Sequence, residues 1–345
     1  MRFMHPKVAI ALSKDERKDP VVTHMYFDTM YRALKEAGFN CDDKYNLKDI
    51  NKSKDFLIVG SCKVAFEYWI KGYKNLIIWI QGVVPEESIM LGYHKYKYYA
   101  HSFLEEIMIK KAKFIFMVSE EMLRHYENKY GLRIENKTFI MPCYNENKVD
   151  KLAFQHIKKY KNNTFLYAGS LQGWQCFNET VKVYKSFETQ LTNTKLFVYT
   201  KDQKEAKEII DKNNIQNYSV DFVSLDELSE KIRNIKYGFV LRKDNIVNRV
   251  ATPTKISNYI SHGIIPIYSP CLKSFDNYNK KEKMAISFDL EKIDIDTKRA
   301  IKQINQEIDV PEVKEWCKYT FNTYYNQDKY ITNAARKIES EINLK

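Results

Sequence analysis

Cysteine occurs here in no arrangement that does chemistry: Cys41, Cys62, Cys143, Cys176, Cys271 and Cys317 stand apart, with no CxxC pair and no Cys/His cluster at metal-ligand spacing. Neither a structural zinc site nor a disulfide framework is expected, and no metal centre is signalled. No apolar run approaches the ~18 residues needed to cross a bilayer. The apolar stretch in "MRFMHPKVAIALSKDER" is too short, and too soon followed by charge, for a secretory signal. A cytoplasmic location is the expectation. Short-period repeats and low-complexity tracts are missing as well, and so is any zinc-finger or RRM signature.

Acidic residues are in deficit. Lys and Arg number 56 against 44 Asp and Glu, a formal charge of +12. Such a charge asks for an anionic partner: nucleic acid, acidic lipid headgroups or phosphorylated small molecules. The missing recognition module argues against nucleic acid. The positive charge is mostly lysine spread along the chain, which solvated helices alone also explain.

At 345 residues the chain exceeds one compact core, and two domains are expected. Short apolar runs alternate with helical patterns throughout. "KVAIAL", "DFLIVGS", "NLIIWIQG", "KFIFMVS" and "TFIMPCYNE" mark the strands of the first half. "TFLYAGS", "KLFVYT", "YSVDFVS" and "YGFVLR" mark those of the second. Continuous apolar strands separated by helices predict parallel sheets covered on both faces, an α/β class of two Rossmann-like domains. The polar, Lys-rich segment 148–163 sets the expected division at 1–150 and 151–345, with the last helix able to pack back on the first domain.

One stretch is unusually dense in signals: "RVATPTKISNYISHGIIPIYSP", Arg249 to Pro270. Thr252 suits an N-cap, Pro253 the first helical position, and Gly263 the stop, which predicts a helix from Thr252 to His262. It follows the strand "YGFVLR", so its first turn falls at the carboxyl edge of a parallel sheet, where open α/β folds bind ligands. Free backbone N–H groups, the hydroxyls of Thr252 and Thr254 and the ammonium of Lys255 there suit an anion, a diphosphate above all. An ordinary capped connection is the plain alternative.

"TPTKISNYISHGIIPI" resembles the donor-site segment "SPTKxxEYLxxGxPVI" of the retaining nucleotide-sugar glycosyltransferases of family four, enzymes with the GT-B fold of two Rossmann-like domains facing across a cleft. The two-domain alternation matches along almost the whole chain. "YAGSLQGWQ" (Tyr167 to Gln175) sits where these enzymes carry a glycine-containing loop, which adds Ser170 to the donor-binding set. "FMVSEEMLRHYENKYG" looks like their final acceptor-domain strand and helix, and "WIQGVVPEES" resembles a loop of capsule and O-antigen transferases. The resemblance implies a first domain that binds the acceptor and a second that binds the donor. It also implies transfer of a sugar from a nucleotide-sugar donor to a glycan or polyprenyl-linked glycan acceptor in bacterial surface polysaccharide synthesis. Retention of configuration, no metal, no nucleic acid, no cofactor beyond the donor itself, and a cytoplasmic site at the inner face of the membrane go with it.

Two departures qualify the match. The family carries two glutamates eight positions apart where this chain has Val250 and Asn258; Asn258 bonds a ribose hydroxyl without charge. The Arg and Lys common after the first donor-domain strand are missing from "GSLQGWQ", leaving Arg242, Lys243, Arg249 and Lys255 as the cations for the diphosphate. Arg242, last in its strand, is best placed for a forked contact. The departures keep a second reading open, a non-catalytic two-domain protein that binds a nucleotide or glycan.

Glycosyl transfer needs the diphosphate leaving group stabilised as the anomeric bond breaks. An inverting reaction also needs a base for the acceptor hydroxyl, a retaining one a group to orient it. Glu86 and Glu87, after "NLIIWIQG", are the candidates, and a solvated turn after Pro85 is their plain alternative. In "GYHKYKYYAHSFLEEIMIKKAKF" the aromatic and basic content suits an anionic membrane surface. The recurrence of Tyr96, Tyr99/Ala100, Phe103 and Ile107 predicts instead a core-facing stripe, with the lysines left for lipid.

Overall fold

A computed structural model describes residues 5–13, 20–155 and 157–342. Contacts divide the chain into two compact units: one runs to Cys143 and resumes at Asn326, and the other is Tyr144–Tyr325. The Lys-rich segment expected to divide the domains therefore lies inside the second unit. The helix Gln327–Glu341 packs on the helix Pro20–Glu36 within the first unit.

In the first unit, strands β1 (Val8–Ala11), β2 (Phe56–Val59), β3 (Asn75–Ile80), β4 (Phe114–Met117) and β5 (Thr138–Ile140) form one sheet in that order. The pairings of these strands are parallel, from Val8 against Phe56 to Met117 against Ile140. β1, β2 and β4 are buried along their whole length, as expected of strands covered on both faces. Helix Cys62–Ile70 starts where Ser61 accepts the Val64 N–H, and Glu120–Tyr130 where Ser119 accepts that of Met122. Both serines end a strand and cap the next helix, so the sequence fixes where each strand hands over at the sheet's carboxyl edge.

The helix Lys95–Lys111 corrects the sequence reading. Its expected core stripe is outside: Tyr96, Tyr99 and Phe103 are 66%, 67% and 67% exposed. The opposite face, with Glu105, Met108 and Ile109 buried, packs inward. Residues 101, 104, 105 and 108 recur at helical spacing as well as 96, 99 and 103 do, and the helix packs against the helix Cys62–Ile70 with Glu105, Met108 and Ile109 buried.

In the second unit the sheet runs β11 (Ile286–Ser287), β10 (Ile265–Tyr268), β9 (Tyr237–Val240), β6 (Asn163–Ala168), β7 (Thr194–Tyr199), β8 (Tyr218–Asp221), again with parallel pairings. Phe165 centres an aromatic core, with the rings of Tyr184, Phe187, Tyr237 and Phe239 within 5.6 Å. Strand order reverses between β6 and β9. Their carboxyl ends flank the topological switch point, where a crevice opens in folds of this kind.

Candidate active site

The helix of the "TPTK" segment is Lys255–Ser261, shorter than predicted. Thr254, rather than the expected Thr252, stands at the N-cap position, in an α-type conformation without a side-chain cap bond, and the Ile256 N–H reaches the Pro253 carbonyl. A separate turn of helix, Ile246–Val250, capped by Asn245, stands before it. The Thr254 carbonyl accepts from Ser257 Oγ at 2.8 Å.

Two glycines place this helix. Gly238, inside β9, lies under the ring of Tyr259: a Cβ there would come within 2.5 Å of it. Gly169, at φ +140° just after β6, lies under Lys255, whose Nζ would be 2.5 Å from a Cβ at that position. The missing side chains let the helix lie directly on the sheet and set the lysine over the switch point.

Arg242 follows β9 and is 5% exposed. Its guanidinium donates to the Gln175 carbonyl at 3.1 Å and to Gln175 Oε1 at 2.5 Å. Lys255 Nζ donates to the same Oε1 at 2.7 Å and sits 5.0 Å from the centre of the Tyr167 ring. Among the described residues, no carboxylate lies within ion-pair distance of either cation. Burial, followed by the proximity of Arg242, holds the Lys255 ammonium well below the usual lysine range, and burial also lowers Arg242. The other two candidate cations are already neutralised: Lys243 pairs with Glu179 at 2.5 Å, and Arg249 with Asp244 at 2.6 Å. Arg242, buried, and Lys255, half-buried, thus converge on one neutral amide and leave their charge uncompensated by any carboxylate among the described residues.

Asn258 lies one turn beyond Lys255, and its Oδ1 is buried without a hydrogen-bond partner. Ser170 is exposed, and its backbone carbonyl accepts from Tyr167 Oη at 2.7 Å. Thr252 and Thr254 are half-buried beside the lysine in sequence. Gln175 escaped the sequence reading. Its only signal was the place of "GSLQGWQ" where the family has cations, and an amide there does not announce itself.

The first unit carries its own cavity, about 540 Å³, at the carboxyl ends of β2 and β3. Ser61, Lys63, Gln81, Glu87, His101 and Glu105 supply its polar lining in a largely apolar wall. Glu87 packs its carboxylate over Gly82; burial first, and the charge of Glu86 second, raise its pKa. Glu86 is not among the lining residues. It forms an ion pair with Lys129 at 2.8 Å and lies 3.2 Å from His125 Nε2. Burial alone would raise the Glu86 carboxyl, but the bonds from His125 and Lys129 outweigh it and hold it below the usual range. The two adjacent glutamates are thus in opposite states, Glu86 compensated and Glu87 facing the cavity.

No protein-family model matches the chain, and no curated protein matches it by sequence. Solved structures do match. A TarM variant of S. aureus, in complex with UDP and alpha-GlcNAc-glycerol among others, superposes with a TM-score of 0.62 at 10% identity. That match covers 84% of this chain and 55% of TarM, so the present chain spans about half of its length. Sucrose-phosphate synthase from Thermosynechococcus elongatus gives 0.67 at 11% identity, over 97% of this chain and 99% of its own. The lipopolysaccharide outer core galactosyltransferase WaaB in its apo form gives 0.64 at 13% identity, over 97% and 100%. The chain has their fold. It is the GT-B architecture of glycosyltransferases, α/β with two Rossmann-like units, each built on a parallel sheet. At identities this low it is the architecture that is shared.

Proposed function

We propose that this protein is a glycosyltransferase that moves a sugar from a nucleotide-sugar donor to a glycan or lipid-linked glycan acceptor in surface polysaccharide synthesis. The observation that carries the reading is the pair of Arg242, buried, and Lys255, half-buried, at the switch point of the second unit around Gln175, with no carboxylate among the described residues to balance them. A donor diphosphate supplies the missing charge, and it gains negative charge as the anomeric bond breaks, so cations held in place before reaction favour the transition state over the ground state. Thr252, Thr254 and Ser170 line the approach to the phosphates, and Asn258 Oδ1 accepts from a ribose hydroxyl.

The cavity of the first unit receives the acceptor, with Glu87 orienting or deprotonating its hydroxyl. A retaining reaction without a metal fits a site whose positive charge comes from side chains. The exposed face of Lys95–Lys111, with Tyr96, Tyr99 and Phe103 on the helix that begins at Lys95, supports peripheral contact with an anionic membrane, on which a polyprenyl-linked acceptor would be presented. No helix among the described residues is long and apolar enough to cross a membrane.

Slow hydrolysis of a nucleotide sugar in the absence of acceptor tests the reading. Free sugar released by the wild type and lost in Lys255→Ala supports it. A protein that binds nucleoside diphosphate but releases no sugar, with or without acceptor glycans, is a binder and not a transferase.

A further inference from the structure

Glu105 is 3% exposed on the inner face of Lys95–Lys111, at the wall of the first unit's cavity. Tyr126 Oη lies 3.0 Å from its Oε1 and also 3.0 Å from the backbone carbonyl of Gly82. Tyr130 Oη donates to the other oxygen, Oε2, at 2.9 Å. The proton count is decisive. Tyr126 has one hydroxyl proton and stands between two oxygens; if Glu105 is ionised both are pure acceptors, and one is left without it. Both are satisfied together only when Glu105 carries a proton on Oε1. The acid then donates to Tyr126 Oη, and Tyr126 gives its own proton to the Gly82 carbonyl.

We propose that protonated Glu105 is a positioning residue, which acts through Tyr126 to hold the Gly82 loop, and with it Glu87, in place at the cavity wall. The groups that face Glu105 set the balance. From the helix Glu120–Tyr130 these are Tyr126, Tyr130 and Lys129, whose Nζ lies 3.6 Å from Oε2. From the helix Val84–Met90 comes Glu86, from the helix Cys62–Ile70 comes Cys62, and His101 lines the same cavity from Glu105's own helix. Burial is the largest influence and raises the acid; Lys129 and the two tyrosines pull it back, leaving it at about 7. Below that pH the relay is complete. Above it Tyr126 is drawn to the carboxylate, the Gly82 carbonyl loses its donor, and the loop leading into the helix of Glu87 loosens. The link from this loop to catalysis rests on the reading that the cavity takes the acceptor; the relay itself does not.

Hydrogen–deuterium exchange of the segment 81–88, corrected for intrinsic rates, tests the relay without any ligand. The wild type should exchange roughly five-fold faster at pH 8.5 than at pH 6, the order expected for losing one hydrogen bond. Glu105→Gln keeps one donor and one acceptor at every pH, so it should stay protected at both. Tyr126→Phe should be unprotected at both. A protonated-carboxyl stretch that titrates near neutral pH and is missing from Glu105→Gln should appear in infrared difference spectra. Flat wild-type exchange, a Glu105→Gln profile that follows the wild type, or no such carboxyl band overturns the proposal. If exchange behaves as stated while sugar transfer ignores it, the relay stands and the acceptor reading of the cavity fails.

Discussion

Arg242 and Lys255 donate to one and the same oxygen, Gln175 Oε1, at 2.5 and 2.7 Å. Two cations converge on a neutral amide with no carboxylate among the described residues to balance them, and the proposed diphosphate would supply the balancing anion. Gln175→Glu would supply that anion internally. The variant should unfold at a higher temperature than the wild type and lose nucleoside diphosphate binding, two effects of opposite sign. Calorimetric scans and titrations check it, and a variant that is stabilised yet still binds would place the diphosphate elsewhere.

Lys255→Ala should weaken nucleoside diphosphate binding by about 1.5 to 3 kcal/mol, the range for a charge-assisted hydrogen bond. Because Lys255 is held well below its usual pKa, by burial and then by Arg242, an arriving diphosphate raises it again. Over the pH range in which the free Lys255 loses its proton, binding should take up protons and affinity should fall as pH rises, while below that range Lys255 is a cation with or without ligand. Isothermal titration in buffers of different ionisation enthalpy reads the uptake directly; equal apparent heats in all buffers would count against a depressed Lys255.

Asn258 Oδ1 is buried and unpartnered, so a ribose hydroxyl that donates to it relieves a desolvation cost already present. Asn258→Ala should weaken a nucleoside diphosphate by about 1 to 2 kcal/mol and leave inorganic pyrophosphate unchanged. Equal losses for both ligands would make Asn258 a support of the helix and nothing more.

Glu87→Gln should lower turnover by roughly 10²-fold with an unchanged donor dissociation constant, whereas Glu86→Gln should leave turnover near normal. Glu86 matters instead for stability. Its folded pKa lies below its unfolded value, so its contribution is present above the ordinary carboxylate range and is lost as pH falls through the folded value. Urea unfolding should show Glu86→Gln less stable than the wild type by about 1 to 3 kcal/mol at pH 7, with the two converging in acid. A constant difference across that range would sink the ion-pair account.

Tyr96→Ser combined with Phe103→Ser should abolish sedimentation with phosphatidylglycerol vesicles while leaving donor binding untouched. Neutral phosphatidylcholine vesicles should bind the wild type weakly. Equal binding of the double variant to anionic vesicles would remove this face from membrane contact.

Much of the architecture was legible because strands buried on both faces are apolar without interruption, as in "FLIV" and "NLIIWI", and because Ser61, Ser119 and Gly131 mark helix ends by local bonding. The "TPTK" lysine and Arg242 were legible through their place after a strand. The start of that helix was not, since Thr252, Pro253 and Thr254 all tolerate a turn or a cap and only the packing of Tyr259 on Gly238 chooses. Nor could periodicity decide which side of Lys95–Lys111 faces inward. It carries two stripes, and the one with a glutamate in it is buried because Tyr126, Tyr130 and Lys129, some twenty residues on, satisfy that carboxyl. The same holds for Gln175 between its two cations and for Glu86 set apart from Glu87. By itself the sequence determined most of the secondary structure, which depends on near neighbours, and the parallel α/β class. Tertiary structure alone decided which polar groups share partners, because a partner far along the chain leaves no local pattern.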